Sequence, residues 1–397
     1  MKYIMIVPDG MADDPVPALD GRTPLMAAET PHLQKLARAG IVGRVQTIPP
    51  GMPPGSDVAA LSIMGYDPLQ YYTGRAPLEA AAQGHDLGPR DVAYRCNLIT
   101  TDGARIVDYS AGEISSAEGA VLMAAIEERL HTRQVHFYPG VSYRNLMIWR
   151  DGKVDVKTVP PHDVMGQPLA PHLPQGDAED FLRQMLWDSY EILHQHPLNR
   201  RREDAGKHPA NMIWLWGQGY APRLSHFQMT HGVQGAVVTA VDLLRGIARL
   251  AGLRVLDVPG ATGRLDTNWT GKAAAAIAAL AEVDFVFVHI EAPDECGHQG
   301  DLEGKVRAIE LTDREIIGPV WTAAQRAGEA RIMVLPDHYT PLRTRTHAGN
   351  PVPFVLAGAG IAPDACDRVD EAIAAESPVF VEEGWRLIDK LLAGMAA

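Results

Sequence analysis

DFVFVHIEAPDECGH, residues 284–298, decides the fold. Its first half is an unbroken apolar run and its second half is acidic residues and a histidine. An apolar run without alternation marks a parallel strand buried on both faces, and the turn behind it delivers polar side chains to the strand's C-terminal edge. The pattern occurs twice more. YIMIVPDG, residues 3–10, ends in Asp9, and RIMVLPDHYT, residues 331–340, ends in Asp337 and His338. Open α/β sheets bind ligands at that edge, so three strands are expected to present polar clusters at the same kind of position.

Around these strands the chain reads as an α/β core with a second domain set into it. TPHLQKLARAG, residues 30–40, reads as a helix with Thr30 as cap, Pro31 in the first turn and Gly40 as stop. GAVVTAVDLLRGIARLAG, residues 235–252, reads as a strand followed by a helix, and the alanine run from Ala273 as an ordinary packed helix. Between about Ala80 and Ser225 the composition shifts toward proline, histidine and arginine. The strands there are shorter and more alternating, as in YRCNLIT, RNLMIWRDGKVDVKTV and NMIWLWGQG. The expectation is a discontinuous catalytic domain, residues 1–80 and 226–397, with a smaller α+β domain, residues 81–225, inserted as a substrate-binding lid.

Composition narrows the function classes. The 397 residues are 46% hydrophobic and 21% charged, as in a soluble globular protein. The formal net charge is -13 and no run of Lys or Arg is long enough to track a phosphate backbone, which argues against nucleic acid. An anionic substrate must be held by local charges or metals. The apolar run before Pro8 is too short for a signal peptide, and the region from Ala273 to Ile290 is interrupted by Glu282 and Asp284, so no membrane span is expected. Cys96, Cys296 and Cys366 form no paired motif, which fits a reducing cytoplasm.

In IPPGMPPGSDVAALSIMG, residues 48–65, a stretch stiffened by proline gives way at Ser56 to an apolar helical pattern. Ser56 reads as an N-cap, or as a hydroxyl at an anion site, since a helix N-terminus attracts phosphate through its free amides and its dipole. Asp9, Asp294, His298, Asp337 and His338 offer only hard oxygen and imidazole donors, a set suited to Mn²⁺, Zn²⁺ or Mg²⁺.

VPDG, PGSDVAALSIMGYDP, YYTGRAPLEA, VPGATGRLDTNWTGKAAAAI, VHIEAPDECGHQGD, LPDHYTP and RTHAGNPVPF succeed one another along nearly the whole chain. The ordered set resembles the archaeal-type cofactor-independent phosphoglycerate mutases of the alkaline phosphatase superfamily. The resemblance implies an alkaline phosphatase-like three-layer α/β/α core with an inserted α+β domain, and a centre of two divalent ions, Mn²⁺ foremost, with Mg²⁺, Zn²⁺ or Co²⁺ as others. Asp9, Ser56, Asp337 and His338 match the ligands of one ion; Asp294, His298 and His347 match those of the other. Ser56 is then the nucleophile, because a divalent ion favours its alkoxide. It takes the phosphoryl group from 3-phosphoglycerate and returns it to O2 of the trapped glycerate, with no bisphosphoglycerate. The inserted domain is expected to grip the small phosphorylated metabolite through Arg75, Arg95 and Arg144, since guanidinium matches planar oxyanions. His162 and Asp163 are expected to shuttle the proton between the glycerate hydroxyls. Trp214 and Trp216 read as strand core.

One stretch departs from the family. VDYSAGEIS, ending at Ser115, carries Ser110 and Glu113 where archaeal members often have arginines. The variant resembles a bacterial branch proposed as homoserine kinases, an alternative that keeps Ser56 and the metals but takes ATP as donor. A metal-dependent phosphohydrolase is the other alternative.

Overall fold

A computed structural model describes residues 1–395. The chain forms two compact units: Met1–Tyr72 together with the chain from Arg223 onward, and Thr73–Pro222.

The first unit is built on an eight-stranded sheet in the order Arg254–Leu256, Gly235–Val238, Phe285–Ile290, Lys2–Pro8, Ala330–Val334, Val352–Gly358, Gly40–Val45, Phe380–Val381. The first five strands run parallel. Lys2–Pro8 lies between the two other strands picked out in the sequence, with Pro8 opposite Ile290 and Ile6 opposite Val334. Their C-terminal ends therefore fall on one edge. Continuous apolarity is explained by helices on both faces. Ile4, Ile6, Val286, Val288, Ile332 and Val334 share one core with the helices Pro31–Arg38 and Trp269–Leu280. The alternate residues Met5, Phe285, Phe287 and Met333 are equally buried, on the face covered by helices such as Asp242–Leu250 and Leu387–Ala393. Each full burial of this kind stabilises the fold by about 2 kcal/mol. In the alanine run, Ala273, Ala276 and Ala279 face the core.

The helix after Thr30 forms, with a different cap. Thr30 makes no side-chain cap bond. Instead Asp313 reaches across and accepts the amides of His32 at 3.0 Å and Leu33 at 2.7 Å. It can do so because the helices Leu302–Leu311 and Gly318–Ala327 are joined by a π-helical turn, Thr312–Ile317. Gly40 is not the helix stop either. The helix ends at Arg38, and Gly40 opens the next strand, where a Cβ would stand 2.2 Å from the Leu356 carbonyl oxygen.

In the second unit, Val92–Thr101 pairs antiparallel with Arg144–Trp149 and with Met212–Tyr220; Val135–Val141 and Ile106–Asp108 complete the sheet. The helices Ser116–Leu130 and Glu179–His194 pack on this sheet. The stretch 144–159 is a strand only as far as Trp149, and Val156–Lys157 pairs instead with Gln175–Gly176. The chain enters this unit at Thr73, earlier than composition suggests, because the helix Ala76–Ala82 packs through Ala76 and Ala80 on Ala93 and Leu146. It leaves after Pro222. A helix-covered α/β sheet with an inserted α+β unit is thus the observed architecture. Among the described residues no helix is long and apolar enough to cross a membrane.

Asp313→Ala would leave two helix amides without their acceptor. A stability loss of about 2 kcal/mol is expected in urea unfolding, and an unchanged midpoint would refute the capping role.

Candidate metal centre

The sheet edge gathers the residues that sequence reading picked out. Asp9 comes directly after the Lys2–Pro8 strand, and Asp337 and His338 come just after Ala330–Val334. Asp294 and His298 sit one turn apart on the helix Ala292–Gln299, so both project from one face. His347 precedes Val352–Gly358. Two groups result, Asp9 with Asp337 and His338, and Asp294 with His298 and His347, each with its donor atoms within 4.8 Å of one another. The His338 and His347 rings lie 4.1 Å apart and join the groups.

In the first group, His338 Nε2 is 3.1 Å from Ser56 Oγ, 3.3 Å from Asp337 Oδ2 and 3.4 Å from Asp9 Oδ1. Ser56 is the first residue of its helix and Gly55 holds the cap position, so the N-cap reading fails. Its hydroxyl turns to His338 rather than to its own helix. Gly10, in the turn behind Asp9, has φ +58, and a Cβ there would stand 2.5 Å from Thr340 Oγ1 and 2.6 Å from Asp294 Oδ1. Glycine meets both demands.

In the second group, Asp294 Oδ2 is 3.2 Å from His298 Nε2, and Oδ1 is 3.5 Å from His347 Nε2. The two Nε2 atoms face each other at 2.9 Å. His298 Nδ1 donates to the Arg345 carbonyl at 3.0 Å, which directs its other nitrogen inward.

These groups fit divalent cations. Asp9 Oδ1 is buried with no hydrogen-bond partner. Burial, with the Asp337 and Asp294 carboxylates nearby, pushes the Asp9 pKa well above its usual range. Burial lowers His338, so little positive charge comes from that side. Burial opposes ionisation of Asp294, but its hydrogen bonds with His298 and His347 outweigh this and bring it well below the ordinary value. His298 is correspondingly pushed up to about 9, chiefly by that bond to Asp294 and against burial. Three carboxylates in a dry site are unfavourable without compensating charge. The two facing imidazole nitrogens are satisfied either by a proton on one of them or by a divalent ion between them. Oxygen and imidazole donors suit Mn²⁺, Mg²⁺ or Zn²⁺.

Arg75, Arg95, Arg144, His162 and Asp163 all lie in the second unit. Glu79 binds Arg95 Nε at 2.9 Å and Arg75 Nε at 3.5 Å. The Arg95 guanidinium lies 4.4 Å from the Trp216 ring centroid, and that ring meets His162 edge-on at 5.4 Å. Trp216 is thus core and platform at once, while Trp214 is core. Arg144 sits 5.3 Å from the Tyr143 ring centroid. Asp163 is the least engaged, 3.7 Å from His162. Burial lowers the His162 pKa despite Asp163, so its imidazole is neutral at pH 7. Ser110 serves its own turn: its hydroxyl donates to Asp108 at 2.7 Å and accepts the Glu113 amide.

Two further side chains touch the ligand groups and are not picked out by the sequence reading. His289, fully enclosed, contacts Asp9 Oδ2 at 3.0 Å and Thr239 Oγ1 at 3.3 Å. Burial drives its pKa down to about 4, so it is a neutral donor that holds one Asp9 oxygen and leaves the other open. The signal was a histidine inside an apolar strand. Thr340 lies between His338 and Asp294, and no sequence feature singled it out.

A model of the 2,3-bisphosphoglycerate-independent phosphoglycerate mutase family matches residues 37–199. A 2,3-bisphosphoglycerate-independent phosphoglycerate mutase of Methanothrix thermoacetophila is 51% identical over 395 residues, covering 99% of this chain and 100% of that protein. A probable enzyme of the same name from Geobacter sulfurreducens is 50% identical over 397 residues, with 99% and 100% covered. Among solved structures, a Pyrococcus horikoshii protein superimposes with a TM-score of 0.85 at 32% identity, covering 99% of this chain and 97% of that one. The cofactor-independent phosphoglycerate mutase of Thermoplasma acidophilum gives 0.68 at 30% identity, with 99% of each chain covered. By sequence identity sustained from end to end, the chain belongs to the 2,3-bisphosphoglycerate-independent phosphoglycerate mutase family.

Proposed function

We propose that the chain interconverts 3-phosphoglycerate and 2-phosphoglycerate through a phosphoserine at Ser56, without bisphosphoglycerate. The observation that supports this most directly is the Ser56 hydroxyl 3.1 Å from His338 Nε2, in the group that also holds Asp9 and Asp337. Asp9, Ser56, Asp337 and His338 would hold one ion and Asp294, His298 and His347 the other. When bound, such ions, Mn²⁺ foremost and Mg²⁺, Zn²⁺ or Co²⁺ as others, favour the serine alkoxide and neutralise phosphate charge.

Ser56 Oγ attacks phosphorus; the new O–P bond forms as the bond to O3 breaks, and O3 takes up a proton. Glycerate O2 then gives up a proton and attacks the phosphoserine, and Ser56 Oγ departs. The helix Ser56–Ile63 begins at the nucleophile, so its dipole favours the dianion throughout. His162, neutral and carrying one exchangeable proton, is the proposed carrier between O3 and O2, with Asp163 beside it. Arg75, Arg95 and Arg144 are proposed to bind the carboxylate and phosphate oxygens of this small metabolite. The three cysteines are free, which supports the cytoplasm as compartment. Transfer from ATP to homoserine, or hydrolysis, would use the same serine. The names of relatives matched over nearly their whole length favour the mutase.

Purified protein with Mn²⁺ and 3-phosphoglycerate is expected to produce 2-phosphoglycerate, followed through enolase, with no bisphosphoglycerate added. Homoserine phosphorylation from ATP without mutase signal, or inorganic phosphate as the main product, would overturn the reading. Ser56→Ala should lower the rate by about three orders of magnitude or more; phosphoprotein recovered from that variant would refute the nucleophile. EDTA should abolish activity and Mn²⁺ restore it, and full activity in EDTA would remove the metals from the account. Arg144→Ala is expected to cost about tenfold in kcat/KM, the worth of one charge-assisted hydrogen bond, with Mn²⁺ uptake unchanged. Wild-type kinetics would take Arg144 out of the site.

A further inference from the structure

We propose that Thr340 is a positioning residue whose hydroxyl ties the two ligand groups together, so that uptake of both ions depends on it. The inference rests on reading those groups as metal ligands.

Thr340 is fully buried. Its Oγ1 lies 2.5 Å from Asp294 Oδ1 and 3.2 Å from His338 Nδ1. A hydroxyl has one proton, and an ionised carboxylate only accepts. The Thr340 O–H therefore donates to Asp294, and its lone pair accepts Nδ1–H of His338. This direction assigns the His338 tautomer: the proton sits on Nδ1, and the lone pair of Nε2 faces Ser56, Asp337 and Asp9. At the other end the bond engages Oδ1 of Asp294 and leaves Oδ2 toward His298. One hydroxyl thereby sets the ring of one group and the carboxylate of the other.

The hydroxyl is itself held in place. The Thr340 amide donates to the Ala12 carbonyl at 3.2 Å, and its carbonyl accepts Lys305 Nζ at 2.8 Å. Lys305 is fully buried against Asp13 at 2.7 Å. A Cβ at Gly10 would stand 2.5 Å from Thr340 Oγ1, and one at Gly297 would stand 2.7 Å from its carbonyl oxygen. Both neighbours are glycine, which lets the side chain sit this close.

The test compares wild type, Thr340→Ser and Thr340→Ala, the two variants differing from each other only by the hydroxyl. Metal-stripped protein is titrated with MnCl₂ in a calorimeter, with far-ultraviolet circular dichroism as the check on folding. Thr340→Ala should weaken both binding steps by about tenfold or more, the usual effect of losing a partner behind a ligand, and Thr340→Ser should restore both. Unchanged constants in Thr340→Ala, or weakening of only one step, would overturn the tie. Wild-type protein that takes up no Mn²⁺ would instead overturn the metal reading beneath it. Should Thr340→Ala not fold, ring-¹⁵N-histidine spectra of the metal-free wild type at neutral pH decide. His338 signals, identified by their loss in His338→Asn, are expected to show the proton on Nδ1, and a proton on Nε2 would refute the assignment.

Discussion

Three aspartates buried at one edge of a sheet impose the constraint that organises the first unit. Asp9, Asp294 and Asp337 lie out of water, where each uncompensated charge costs several kcal/mol. The two fully buried lysines do not neutralise them, for Lys305 is paired with Asp13, and Lys272 bonds the Thr262 carbonyl. Under the proposed function the compensation is divalent cations held by the two ligand groups. The surrounding polar atoms then act as aiming devices. His289 takes one oxygen of Asp9, the Arg345 carbonyl turns His298, and glycine at position 10 keeps the backbone from filling the space.

The strands and most of the candidate ligands were legible because they obey a local rule: an apolar run must stop, and the residues just past its end lie at the sheet edge. Asp9, Asp294, Asp337 and His338 each stand within a few residues of such an end. Residues whose role comes from a distant partner were opaque. Thr30 has the right identity for a cap, yet Asp313 from another helix does the work, and only a π-turn puts it there. Ser56 looks like a cap because serine at a helix start usually is one; a histidine from the loop behind a strand far along the chain claims its hydroxyl instead. His347 stands behind no apolar run, and the family resemblance alone indicated it. The first crossing between units was misplaced because Ala76–Ala82 has the composition of either neighbour and is assigned only by what it packs on.

The second unit shows the same economy with opposite charge. Arg75 and Arg95 share Glu79, so two guanidiniums are held against one carboxylate. Arg95 is further fixed by the Trp216 ring, a contact that preserves its donors while removing its freedom. Trp216 looked like plain core in the sequence because burial and cation stacking ask for the same residue. Ser110 carries a different lesson: a substitution that seems to subtract an anion grip gives its hydroxyl to the backbone turn around Asp108.

The amino-terminal strand occupies the middle of its sheet, and its neighbours come from the last third of the chain. Asp9 meets His289 across 280 positions of sequence. During synthesis Ile4, Met5 and Ile6 therefore leave the ribosome long before anything can pair with them, and at translation rates of about 5–20 residues per second this wait lasts tens of seconds. An unpaired apolar strand is an aggregation hazard for that whole interval.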